Sequence, residues 1–118
     1  MGVAEVSNVL WREREQLQLL LFKLEEEQLV LASGRTRWLA HASREVQIVL
    51  DAIREVEVLR AVEVDGYAET VGLGPSPSLR ELALASPEPW RELLLAHRDA
   101  LVEAVSYTHL TLPTILRV

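Results

Sequence analysis

A chain of 118 residues is long enough for one domain with a modest core and too short for two. Its 18 acidic residues against 12 basic ones leave a net charge of −6, which disfavours nucleic acid and anionic membrane as partners. It has no cysteine, hence no disulfide or thiolate metal site, no secretory leader pattern, and no apolar run longer than Leu19 to Phe22; cytoplasm is the expected compartment.

The first predicted element is a long helix over about 8–32. Ser7 or Asn8 would cap its start, and Gly34 follows its end, where a left-handed residue stops helices. Leu10, Leu17, Leu21, Leu24 and Leu31 alternate three and four apart, with Arg14 and Gln28 in the two remaining slots. Leu20, Phe22, Leu29 and Val30 widen this stripe, which implies more than one packing neighbour. After the short break at Ser33 to Arg35, a second helix is predicted over about 36–70. Its stripe is Leu39, Ala42, Val46, Val49, Ile53 and Val56, and this helical period outweighs the β-preference of so many Val and Ile. A tight turn at Gly34 makes the two an antiparallel hairpin, with Leu10 opposite Val58 and Leu24 opposite Arg44 or Val46. On that register the first helix runs out near Val62 of the second. Gly66, just beyond, is expected to fray or bend it.

Residues 72–78, "GLGPSPS", read as a loop. Ser78 and Glu81 form a capping box for a short helix over about 79–85. Ser86-Pro87 then opens a third long helix over about 87–104, with Trp90, Leu94, His97 and Leu101 on its stripe and Leu93 beside it. The expected fold class is all-α: a long, coiled-coil-like antiparallel hairpin with a short helix and a third helix packed along it.

No phosphate loop, nucleophile elbow or paired-histidine metal helix is present. His41 and Glu45 lie one turn apart without a third ligand, which is the pattern of a solvated pair. His97 reads as a packing histidine on an apolar stripe, and Glu25 to Glu27 as a solvated face. Trp11, Trp38 and Trp90 serve either as ends of the core with a wet indole N–H or as anchors of a binding surface. Amphipathic helices without a catalytic constellation point to a protein that binds other proteins, with no catalytic, cofactor or metal site expected.

The text "VSNVLWREREQLQLLLFKLEEEQLVLASGRTRWLAHASREV", then "VLRAVEV" and "GPSPSLRELALASPEPWRELLLAHRDAL", resembles FlgN-type flagellar export chaperones over about residues 6–103. The resemblance implies a cytoplasmic, non-enzymatic chaperone of flagellar type III secretion. Its partners would be hook–filament junction proteins, bound before export, and the export apparatus. The family's substrate surface lies largely toward the C-terminal helix, which here corresponds to Trp90, Leu93, Leu94, His97 and Leu101. A structural coiled-coil adaptor or a self-associating bundle subunit, for example a homodimer, is the alternative from the same stripes.

The final stretch, Val105 to Val118, differs in composition from everything before it. "VSYTHLTLPT" resembles a translation of the transposon-end adapter used in sequencing libraries. The expected organisation is one helical domain over 1–104, truncated within its third helix, followed by an adapter-derived tail over 105–118. Tyr107 and His109 are accordingly given no functional reading.

Overall fold

The computed structural model describes the backbone of residues 2–116 and the side chains of residues 2–106. Helix α1 spans Val3–Ala32, and a single 3₁₀ turn at Thr36–Trp38 leads into α2, Leu39–Thr70. The short helix α3 is Leu79–Leu84, and α4 is Trp90–Leu116. All the regular structure among the described residues is helical, in a body 55 × 20 × 20 Å. The Tyr107 and His109 readings, and most of the adapter-like tail, fall outside the described side chains. The helical backbone itself continues past Ala104, where the third helix was expected to stop.

Gly34 makes the hairpin turn at φ +75°, a left-handed conformation in which any Cβ is strained. Ser33 supports it, its hydroxyl donating to the Val30 carbonyl at 2.7 Å and accepting from the Arg35 amide at 3.3 Å. On either side of the turn, Leu20 and Leu24 of α1 pack with Val46, Val49 and Ile53 of α2. Lys23 lies 3.4 Å from Glu45, as the hairpin register requires. Farther from the turn, Glu13 meets Arg60 at 2.9 Å, about one helical turn beyond strict pairing. The long arginine side chain spans part of that offset.

Three expectations about helix ends are corrected. Helix α1 begins five residues earlier than predicted, with the Gly2 amide donating to the Glu5 carboxylate at 3.0 Å. Ser7 is not its cap; it lies inside the bundle, one of the few buried polar residues. Helix α2 does not fray at Gly66 but runs on to Thr70. The reason is tertiary: the lengthened α1, α3 and α4 bury Val64, Tyr67 and Ala68 together with Val6, Leu10, Leu79, Leu82, Ala83, Leu94 and Leu101. Burial of side chains this size, at about 1.5–3 kcal/mol each, outweighs the roughly 1 kcal/mol that one glycine costs a helix. Ser86 likewise does not cap α4, which starts at Trp90. It is buried, donating to the Leu82 carbonyl at 2.7 Å and sharing a 2.8 Å hydrogen bond with the Tyr67 hydroxyl. The capping box of α3 is as predicted, with Glu81 N to Ser78 Oγ at 3.1 Å and Ser78 N to Glu81 Oε1 at 3.0 Å.

The α1 stripe is also rotated from its predicted centre. The buried positions are Val6, Ser7, Val9, Leu10, Glu13, Leu20, Leu24 and Glu27, with Leu17 and Leu21 only partly covered and Phe22 and Leu29 exposed. Two acids thus sit on the inward face, each with a partner on α2: Glu13 with Arg60, and Glu27 accepting from the Ser43 hydroxyl. Helix α4 runs parallel to α1, since Leu94 clusters with Val6 and Leu10 while Val105 shares a cavity wall with Glu13.

Leu10 and Phe22 are chemically similar and differently placed. Leu10→Ala is expected to lower unfolding free energy by about 2–5 kcal/mol through the cavity it leaves. Phe22→Ala, at an exposed site, is expected to change it by less than about 0.5 kcal/mol. Urea titrations followed by circular dichroism measure both.

Candidate partner-binding surface

The residues predicted to bind a substrate share the inward face of α4, and the structure divides them. Leu94, His97 and Leu101 are buried against α1, α2 and α3, whereas Trp90 and Leu93 are half-exposed at the flank. The 3-4 spacing that put them on one stripe is real; its centre is occupied by the chain's own hairpin.

His97 is wholly enclosed and makes two hydrogen bonds to α1. Its Nδ1 lies 3.2 Å from Arg14 Nη1 and its Nε2 lies 3.1 Å from Ser7 Oγ. A guanidinium can only donate, so Nδ1 must accept and the proton resides on Nε2, which donates to Ser7. The imidazole also meets the Trp11 ring edge-on at 4.9 Å and 82°, and Arg14 stacks over Trp11 with 4.1 Å to the ring centroid. Burial, and then the positive charge of Arg14, hold the His97 pKa below its ordinary value. Ser7, Trp11 and Arg14 recur at helical spacing and form one side of α1. The sequence signal was there, but nothing in it said that this side would face His97.

Burial also raises the pKa of Glu13, against the opposing pull of Arg60. This pair marks the floor of an open groove. One cavity of about 470 Å³ is lined by Glu13, Glu57, Arg60, Ala61, Val64, Leu79 and Val105, among others. A second of about 420 Å³ adjoins it through Arg60, Leu79 and Val105 and extends along Arg98, Leu101, Val102 and Ser106. The groove therefore runs between α2 and α4, with apolar walls and charged margins. Only Leu101 of the predicted residues lines it; Val105 had been set apart with the adapter-like tail, and Ala61, Val64 and Val102 were not singled out. They lie beside the main stripes, so periodicity assigned them to neither core nor site.

His41 Nε2 lies 3.9 Å from Glu45 Oε2, and among the described residues no three His, Asp or Glu side chains converge as a metal-binding group. No helix among those residues is long and apolar enough to cross a membrane. Trp11 and Trp38 are each about half exposed, at 45% and 49%, so neither is simply a core residue.

An elongated bundle of amphipathic helices, with its buried polar groups paired and an open groove beside its last helix, is the build of a protein-binding helical module. The chain belongs to the FlgN family: the family model described as FlgN protein matches residues 1–107. It is thereby a flagellar export chaperone in the general sense of that family. Neither a search of curated proteins nor one of solved structures yields a match to the chain.

The His97 seat makes stability depend on pH. In the unfolded chain the imidazole titrates near its ordinary value of about 6.5, and in the folded chain lower. Protons therefore bind the unfolded state first as pH falls. The His97 contribution is complete above about 6.5 and is lost as pH drops through the window down to the folded value. Melting temperatures between pH 7.5 and 5.5 are expected to fall in the wild type, and the fall is expected to be smaller in His97→Gln, which cannot take up the proton.

Proposed function

We propose that this chain binds hook–filament junction proteins in the cytoplasm before their export, shielding an amphipathic helical terminus of the cargo in the groove between α2 and α4. The observation that carries the reading is that groove: it is long, walled by Ala61, Val64, Leu79, Leu101 and Val102, and open along a bundle of the FlgN family. A helix laid against α2 and α4 would cover the exposed groove residues, chiefly Ala61 and Val102, over a floor of already buried Val64, Leu79 and Leu101, at about 25 cal/mol for each Å² of apolar surface covered.

In this reading α4 contributes through its groove-facing side rather than its centre. Leu101 and Val102 touch the cargo, while Leu94 and His97 hold the helix in position. Trp90 and Leu93, half-buried nearer the start of α4, extend the contact if the cargo wraps around the helix. The chaperone does no chemistry; its work is to cover apolar surface until release.

Titration with the C-terminal helical peptide of a junction protein tests this. One-to-one binding is expected, weakened by at least about tenfold in Ala61→Glu or Val102→Glu, each of which puts a charge on a groove wall. Unchanged affinity in both variants would move the site elsewhere. A stable homo-oligomer indifferent to the peptide would replace the chaperone reading with that of a self-associating subunit.

A further inference from the structure

Charge along this acidic molecule is reversed at one end. From Gln28 to Arg44 the chain holds no Asp or Glu but carries Arg35, Arg37, Arg44 and His41. That leaves nine Lys or Arg against all eighteen acids elsewhere. This stretch is the hairpin tip, at the far end of α1 from the main core. The nearest acids are already engaged: Glu26 and Glu45 with Lys23, and Glu27 with Ser43. Among the described residues, no ion pair is made by Arg35, Arg37 or Arg44, so their charge faces outward.

The same tip exposes apolar surface. Leu29 is 71% and Trp38 49% exposed, and together with Val30, Ser33 and Arg35 they line a depression of about 340 Å³. Arg37 stacks on Trp38, 4.8 Å from the ring centroid. The backbone beneath is fixed by the left-handed Gly34, by Thr36 N to Gly34 O at 3.0 Å and by Trp38 N to Arg35 O at 3.1 Å. Trp and Arg over a rigid turn are the residue types that dominate interface energetics, because they cover large area and form charge-assisted, bidentate contacts at small entropic cost.

We propose that the hairpin tip is a second docking site, separate from the cargo groove, for an acidic protein segment. Its carboxylates pair with Arg35 and Arg37, and one aliphatic or aromatic side chain fills the depression between Leu29 and Trp38. The complement is acidic because the tip is a cationic stretch on a strongly anionic body, which steers an acidic partner to this end. A protein fits better than an anionic membrane: three arginines attract a bilayer weakly, at about 1 kcal/mol each, and the remaining excess of acids opposes approach. The site does not depend on the cargo reading.

The test uses the full chain labelled with ¹⁵N, its three indole signals assigned through Trp11→Phe, Trp38→Phe and Trp90→Phe. The probe is a helical peptide of Glu, Ala and Leu; a control peptide has Gln for every Glu. The acidic peptide is expected to shift the Trp38 indole and leave that of Trp90 in place. Arg35→Glu/Arg37→Glu is expected to weaken this binding by at least about tenfold. The milder Arg35→Gln/Arg37→Gln pair guards against misfolding, checked by circular dichroism. The proposal is overturned if the Trp38 signal stays still, if the Gln peptide binds equally well, or if a folded double variant binds like the wild type. It is equally overturned if vesicles of phosphatidylglycerol and phosphatidylcholine move Trp38 while the peptide does not.

Discussion

Leu10 lies where four helices converge, and its enclosure governs the architecture. Around it, Val6 from α1, Val64, Tyr67 and Ala68 from α2, Leu79 and Leu82 from α3, and Leu94 and Leu101 from α4 form one apolar cluster. A two-helix hairpin leaves half of each stripe wet and is only marginally stable by itself. Closing this end with α3 and α4 supplies the missing cover, carries α2 on through Gly66 to Thr70, and draws the start of α1 out to Val3. The opposite half of the hairpin has the smaller cluster of Leu20, Leu24, Val46, Val49 and Ile53. The molecule is thus a well-packed base bearing a long, slender arm.

Polar contacts inside the base set orientation where apolar packing alone would be permissive. Apolar stripes can slide by a turn with little loss, because Leu and Val fit many neighbours. A buried imidazole cannot: His97 needs both Ser7 and Arg14, and a shift of α4 would strand it without partners. Tyr67 with Ser86 does the same for the junction of α2 and α3, and Glu13 with Arg60 for the two arms of the hairpin. In this FlgN protein, then, the last helix is locked by hydrogen bonds at its first turns. Its later, groove-facing side remains available.

Helices and hairpin were legible from spacing because an amphipathic period is written locally. The stripe of α2 from Ala42 to Val56 and the left-handed Gly34 came out as read, and the capping box at Ser78 and Glu81 did too. Ser7 and Ser86 were misread for an instructive reason. A serine beside a helix start has the same local signature whether it caps the backbone or faces a distant side chain, and only the distant partner, His97 or Tyr67, distinguishes the two. Glu27 was read with Glu25 and Glu26 as a solvated face and is buried, as is Glu13, although carboxylates are seldom buried. Arg60 and Ser43 make their burial tolerable, and those partners lie 47 and 16 positions away. For the candidate surface, periodicity pointed to α4 and its inward stripe. It could not say that Leu94 and His97 would be spent on the chain's own core while Val102 and Ala61 bordered an opening.

The amino-acid order alone determined that this chain is all-α, that its first two helices fold back on one another at Gly34, and that family likeness runs through nearly all of it. Each of these rests on information held within a few turns of helix or in continuous text. Tertiary structure decided where α1 begins, whether Gly66 breaks α2, which side of α4 is hidden, and where a groove stays open. These depend on which faces meet across long sequence separations. Burial and the satisfaction of buried polar groups are settled jointly by all the helices, and no single helix carries that outcome in its own residues.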